Sequence, residues 1–176
     1  MGEFAAERVS EEGTQWLTQE QQVAWRALLR GTSSLMSALD ADLQPHGVSL
    51  SEYEILAMLS EQPARTTRMS ALAEMVSQSR SRLTHAANRL ERRGWVARQR
   101  SEHDGRGVLL SLTEAGHVAV QQLAPVHLES VRARVVDLMS DEDFVNLGRA
   151  MRVIADAMGP SAQGPTVPGA QSVETV

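Results

Sequence analysis

Residues 80–116 read RSRLTHAANRLERRGWVARQRSEHDGRGVLLSLTEAG, and this stretch decides how the rest of the chain is read. Leu83, Ala87 and Leu90 recur at spacings of four and three, which predicts an amphipathic basic helix running to Arg93. Gly94 then stands where a left-handed C-terminal cap is expected. Trp95–Arg100 and Val108–Leu112 each predict a short strand, and the polar, glycine-containing segment 102–107 between them predicts the flexible tip of a β-hairpin. Thr113 is placed to cap a following helix.

Charge singles out the same region. The chain has no lysine, and ten of its 17 arginines lie between Arg65 and Arg106, opposed there by Glu74, Glu91, Glu102 and Asp104. That segment is therefore +6, whereas the remaining seven arginines face 18 acids and leave the rest at −11. An acidic protein with one basic island presents one surface to a polyanion, because phosphate attraction needs a local patch and not a basic average. Duplex DNA is the expected partner.

Working outward, 176 residues suffice for one domain with tails. Aromatics make up only 3%, so the core is built from Leu, Val, Ala and Met, a composition suited to helices. The absence of cysteine excludes disulfides, thiolate catalysis, thiol redox sensing and Cys-ligated zinc. The opening MGEFAAERVS lacks the pattern of a secretion signal, and Ala6 stands where a myristoylation start wants Ser or Thr. A soluble, cytoplasmic protein with no membrane partner, cofactor or metal is expected.

A first helix is predicted from Thr18, capped with help from Gln21, with Ala24, Leu28, Gly31, Leu35, Ala38 and Leu39 as its apolar stripe. Pro45-His46-Gly47 ends it. Ser49-Leu50-Ser51-Glu52 opens a second helix with Ile55, Leu56 and Leu59 inward, stopped by Gln62-Pro63. A short third helix spans about 70–76, and Ser77-Gln78-Ser79 is the turn into the fourth. A long fifth helix carries Val120, Leu123, Leu128, Val131, Val135 and Leu138, with a kink expected at Pro125. Ser140 caps a sixth, lined by Phe144, Leu147, Met151 and Ile154. The Pro- and Gly-containing residues 159–176 are expected to be a disordered tail, and residues 1–17 a flexible lead.

The third and fourth helices, joined by three polar residues, form a helix-turn-helix signal. Ser79, Arg80, Ser81, Arg82, Thr84, His85, Asn88 and Arg89 remain for the outer face, and these types suit the major groove: Arg pairs with guanine, Asn with adenine, Ser and Thr with phosphate or base. The alternative is an ordinary solvated helix face. On the hairpin tip Arg106 can reach the narrow minor groove, held in orientation by Asp104 two residues earlier. Its alternative is a surface turn with an incidental ion pair. Arg65, Arg68, Arg98 and Arg100 are candidate phosphate contacts.

Asp104-Gly105-Arg106 followed by Leu110, Leu112-Thr113 and Gly116 resembles the wing signature of the MarR family of winged helix-turn-helix regulators. Met69-Ser70-x-Leu72-Ala73, Ser79-Arg80-Ser81-Arg82-Leu83-Thr84 and Arg89-Leu90-Glu91-x-x-Gly94-Trp95-Val96 resemble the helix-turn-helix of the same family. The resemblance covers about residues 18–158. It implies a mainly α fold with a β-hairpin wing, a DNA-binding lobe at about 49–113, and dimerisation through helices at about 18–44 and 113–158. It further implies a two-fold homodimer, more in keeping with a repressor than an activator. Small phenolic or anionic ligands would bind between lobe and dimer helices and release the DNA. Trp25, Met36, His46, Met58 and His117 are the candidate lining of that pocket, the alternative being core filler.

Departures limit what carries over. The cysteine of the redox-sensing branch is absent. No two of His46, His103, His117 and His127 stand at an i, i+4 ligand spacing, so scattered surface or hydrogen-bonded histidines are expected and no zinc site. Trp16 and Trp25 invite comparison with the urate-responsive branch, but the acid and arginines that should accompany them cannot be placed. Two other readings compete with a DNA-binding regulator. One is a winged helix used as a protein-interaction module, against which the polar recognition face argues. The other is an enzyme, for which no nucleophile–base pair, carboxylate pair, phosphate loop or metal set can be assembled.

Replacing Arg106 by Ala is expected to weaken binding to a selected operator more than tenfold while the dimer persists, since a good specific contact is worth roughly 1–3 kcal/mol. Titration of labelled operator DNA checks this, and an unchanged affinity removes the wing from the mechanism.

Overall fold

Thr18 and Gln21 exchange hydrogen bonds across the first turn of α1 (Gln19–Leu43): the Thr18 N–H donates to Gln21 Oε1 at 2.9 Å and the Gln21 N–H to Thr18 Oγ1 at 3.2 Å. The computed structural model describes residues 15–100 and 107–158 of the chain. These fall in two compact units, 1–38 and 39–176, whose boundary lies within α1. In the first unit, Leu28, Leu35 and Ala38 of the expected stripe are half-buried, and Trp25, Leu29 and Met36 are exposed.

In the second unit the central element is α2 (Leu50–Glu61), which follows a 3-10 turn at Gln44–His46 and a left-handed Gly47. Leu50, Tyr53, Ile55, Leu56, Ala57, Met58 and Leu59 are all buried, more than the one-sided stripe read from sequence. A helix apolar on most sides must be covered on most sides. Around it pack α3 (Met69–Met75), α4 (Arg80–Arg92), α5 (Glu114–Arg134) and strand β3 (Val108–Leu112).

The two expected strands are present as β2 (Val96–Arg100) and β3, antiparallel with Val96 opposite Leu112 and Arg100 opposite Val108. A third, β1 (Thr66–Arg68), was not anticipated; it pairs antiparallel with β3 on the other side, giving the order β1-β3-β2. Pro125 sits inside α5, and the helix continues past it to Arg134. There α5 stops short of the expected Leu138: Val135 leaves the helical conformation (φ −137°, ψ −63°) and a 3-10 turn follows at Val136–Leu138. Arg134 at that end forms a two-pronged pair with Asp42 (2.9 and 2.8 Å), which also accepts the Ser130 hydroxyl. Those contacts, Ser130 foremost, hold the Asp42 carboxyl below its ordinary value.

The Ser140 hydroxyl caps α6 (Asp141–Ala157), accepting the Asp143 N–H at 3.1 Å. The stripe Phe144, Leu147, Met151 and Ile154 lies exposed on this helix.

The start of α5 explains the Leu-Thr-x-x-Gly pattern physically. The Thr113 hydroxyl donates to the Gly94 carbonyl at 2.7 Å and accepts the Gly116 N–H at 3.0 Å, while the Thr113 N–H reaches the Trp95 carbonyl at 3.0 Å. Gly116 then lies so near that carbonyl that an added Cβ would sit 2.1 Å from the oxygen and 2.8 Å from Leu112 Cδ1. The obstacle is backbone and cannot rotate away. Gly116→Ala is expected to cost stability at or above the upper end of the roughly 1–3 kcal/mol typical of overpacking, read as a lower urea midpoint. A variant as stable as the parent would mean that α5 can draw back from Trp95.

Candidate nucleic-acid interface

The turn before α4 is set by Ser77, which takes a left-handed conformation (φ 50°), and by Gln78, which points into the lobe. Gln78 Oε1 accepts the Ser51 hydroxyl at 3.0 Å, and its Nε2 donates to the Ser51 carbonyl at 3.4 Å and to Glu54 Oε2 at 3.3 Å. Ser79 then caps α4, its hydroxyl accepting the Arg82 N–H at 3.3 Å. Leu83, Ala86, Ala87 and Leu90 are buried, which turns Arg80, Ser81, Arg82, Thr84, His85 and Asn88 to solvent together with Ser79. The Thr84 hydroxyl donates back to the Arg80 carbonyl at 2.8 Å, leaving its lone pairs outward. A groove of about 430 Å³ runs from Ser70 and Glu74 to Ser79 and Arg80, beside this helix start.

The arginines separate into two groups. Arg80 and Arg82 hold no ion pair among the described residues, and both are exposed on α4. Others are engaged within the protein. Arg89 Nε donates to Glu52 Oε1 at 2.8 Å, and Glu52, only 4% exposed, also accepts the Ser49 N–H (2.9 Å) and the Ser49 hydroxyl (3.0 Å). Arg98 on β2 pairs with Glu91 and reaches the Thr84 carbonyl at 3.3 Å, bracing the strand against α4. Arg93 donates to the Gly47 carbonyl and lies 5.1 Å over the Trp95 ring. Arg65 pairs with Glu114 at 3.0 Å on the surface. Arg68, at the N-cap of α3, and Arg100, at the end of β2, are exposed. Asp104 and Arg106 of the wing tip, and His103, lie outside the described residues.

The candidate pocket residues have different surroundings. Met58 is buried in the lobe core; His46 is exposed in its 3-10 turn, as are Trp25 and Met36 in the first unit. His117 is half-buried, with Nε2 3.1 Å from Gln121 Nε2 and a buried Nδ1 that has no partner among the described residues. Sequence reading left His127 among the scattered histidines. Its ring lies 4.5 Å from Tyr53, its Nδ1 is likewise buried and unpartnered among the described residues, and burial lowers its pKa. Nothing in the sequence signalled that Glu52 and Gln78 link α2 to α4 and its leading turn. Ser49-x-x-Glu52 carried a capping signal, but nothing local pointed to Arg89.

Glu52 and Glu54 are perturbed in opposite directions. Burial works to raise Glu52, but hydrogen bonds from the Ser49 backbone, Arg89 and the Ser49 hydroxyl outweigh it and hold the carboxyl below its ordinary value. Burial dominates at Glu54 and pushes its carboxyl up, against the Gln78 hydrogen bond and the charge of Arg82. Linkage then gives opposite signs. The contribution of Glu52 is present in full above the ordinary carboxylate range and lost as pH falls through its lowered folded value. That of Glu54 is present below the ordinary range and lost as pH rises through its raised folded value. At pH 7, Glu52→Gln is expected to destabilise by about 1–3 kcal/mol, as for a buried charged hydrogen bond, and Glu54→Gln to leave stability equal or higher. Urea denaturation between pH 3 and 8 checks both, and like-signed effects at pH 7 would refute the assignment.

A sequence model of the MarR family matches residues 46–107. Among curated proteins, the transcriptional repressor MprA of Escherichia coli strain K12 is 30% identical over 100 residues, 57% of this chain and 57% of MprA. The chain thus aligns with little more than half the length of that relative. Among solved structures, AbsC from Streptomyces coelicolor, a MarR family transcriptional regulator, is 41% identical with a TM-score of 0.78, over 82% of this chain and 98% of AbsC. Sco3205 from the same organism, a MarR family transcriptional regulator solved in complex with DNA, is 38% identical with a TM-score of 0.79, over 84% of this chain and 93% of its own. With the three-stranded wing sheet, the capped α4 and the Thr113–Gly116 joint in place, this chain belongs to the MarR family of transcriptional regulators.

Proposed function

We propose that the protein is a homodimeric, sequence-specific transcriptional repressor that reads a near-palindromic operator in double-stranded DNA and is released by a small aromatic or anionic molecule. The observation that carries this reading is the two-sidedness of α4: four buried apolar residues on one side, and arginine, hydroxyl, imidazole and amide groups in solvent on the other. The relative Sco3205, solved with DNA, supports it. An exposed helix face meant for a protein partner would carry aromatics or methionine, and this one carries none. On this reading the protein acts by binding and performs no catalysis, and it works in the cytoplasm, where the DNA is. No helix among the described residues is long and apolar enough to cross a membrane.

Dimerisation follows from surface chemistry. Phe144, Leu147, Met151 and Ile154 form an apolar stripe along α6 that is 37–40% exposed in the single chain, and an identical stripe on a second copy is its natural cover. Two-fold symmetry then places two recognition helices about one DNA turn apart. For the effector, the reading rests on the family. A thermal-shift screen of aromatic acids, purines and phenols, followed by operator titration with each hit, tests it. A ligand that stabilises the protein without changing operator affinity would be no switch, because only differential affinity shifts the equilibrium.

Selection of binding sites from random duplex DNA, followed by titration, tests the central reading; absence of any enriched inverted repeat would sink it. With an operator in hand, Arg82→Ala and Asn88→Ala are expected to relax preference at particular base pairs. Arg65→Ala, whose exposed pair with Glu114 is weak and exchangeable, is expected to lower affinity evenly on all sequences and reduce the salt slope by about one. Equal losses on operator and random DNA for all three would mean that α4 does not read bases.

A further inference from the structure

The recognition helix is fastened to α2 at two places, by side chains whose types alone suggest contact with DNA. Before its first turn, Gln78 is gripped by Ser51 and Glu54 through three hydrogen bonds of 3.0–3.4 Å. Near its last turn, Arg89 is held by Glu52 at 2.8 Å, and Glu52 is itself held by Ser49. Both fastenings land within residues 51–54, the first turn of a helix buried on most sides, so neither anchor moves independently of the lobe. Arg89 stands nine residues into α4 from Arg80, about 14 Å along the helix axis, and Gln78 lies two residues before that start. Two separated attachments fix the inclination of a rod, and directional hydrogen bonds at each also fix its roll. Base reading depends on both: a recognition constellation tolerates displacements of only about 0.5 Å and 10–20°.

We propose that Glu52 and Gln78 are specificity-determining positioning residues, which set the inclination and roll of α4, and that Arg89 acts through Glu52 and not on a base. The proposal rests on the reading of the protein as a DNA-binding regulator and names the residues that aim it. It separates two kinds of arginine on one helix: Arg80 and Arg82 face outward as readers, while Arg89 is a strut.

The test is a cycle of Arg89→Met, Glu52→Gln and the double variant, with Gln78→Ala as an independent arm on the opposite fastening. Each is titrated against the selected operator and against random duplex over a range of salt, after circular dichroism and gel filtration have verified folding and assembly. Each single variant is expected to lose about tenfold in operator affinity, while affinity for random DNA and its salt slope stay at the wild-type level. The double variant should be no weaker than the worse single, because both remove the same strut. A loss of random-DNA affinity with a salt slope reduced by about one in Arg89→Met, whatever stands at position 52, would make Arg89 a phosphate contact and overturn the proposal. Relaxed preference at a single base pair in Arg89→Met with Glu52→Gln silent would make it a base reader, with the same consequence. Should Glu52→Gln misfold, Gln78→Ala decides: unchanged operator affinity there overturns the two-point mount. A wild-type protein that prefers no sequence fails at the earlier step and takes the proposal with it.

Discussion

A carboxylate withdrawn from water must be met by donors, and at Glu52 three of them converge: the Ser49 N–H, the Ser49 hydroxyl and Arg89 Nε. Two of these bonds start α2 and the third crosses to α4. The order of the lobe follows from that sharing. Because α2 is buried on most sides, a well-defined start for it gives α3, α4, α5 and β3 a common wall. Because the same carboxylate holds Arg89, the helix that faces outward is registered against the helix at the centre. Removing the charge therefore loosens a cap and a tertiary contact together.

The arginine-only basic island divides its labour. Arg98, Arg93 and Arg89 are spent on Glu91, on Gly47 with Trp95, and on Glu52. Their protein partners hold them, so they are not free to move toward a ligand. Arginine suits this bracing better than lysine, since its planar fork presents several donors in a fixed geometry. Arg80 and Arg82 stand forward of that braced layer. The electrostatic footprint visible in composition is thus a scaffold of held charges supporting a few exposed ones.

Local chemistry was legible in the sequence and distant pairing was not. Thr18, Ser49, Thr113 and Ser140 each announced a helix start through a hydroxyl that meets a backbone N–H three residues on, and Gly94 announced a left-handed stop. Two short apolar segments flanking the polar, glycine-containing stretch 102–107 gave the hairpin. By contrast β1 is three residues with no period of its own, and it becomes a strand because Thr66 meets Ser111, 45 residues away. Arg89 could be recognised as basic and outward, but its partner lies 37 residues back; Arg134 and Asp42 are 92 apart. No window along the chain contains such pairs. The apolar stripe of α6 was legible as a helical periodicity, and it is exposed in the single chain.

The joint between Trp95 and Gly116 is made of backbone against backbone, with no side chain between them to yield. A contact of that kind has little compliance, and the Trp95 N–H is itself bonded to the Leu90 carbonyl, so the end of α4 is tied closely to the beginning of α5. The 21 residues of α5 make an arm of about 31 Å. Tilting such an arm by about 5° about its far end carries the joint roughly 3 Å by simple leverage, several times the tolerance of a base-reading side chain. A tilt of α5 about its Arg134 end is therefore carried across the glycine joint toward the end of α4 with little of it absorbed on the way.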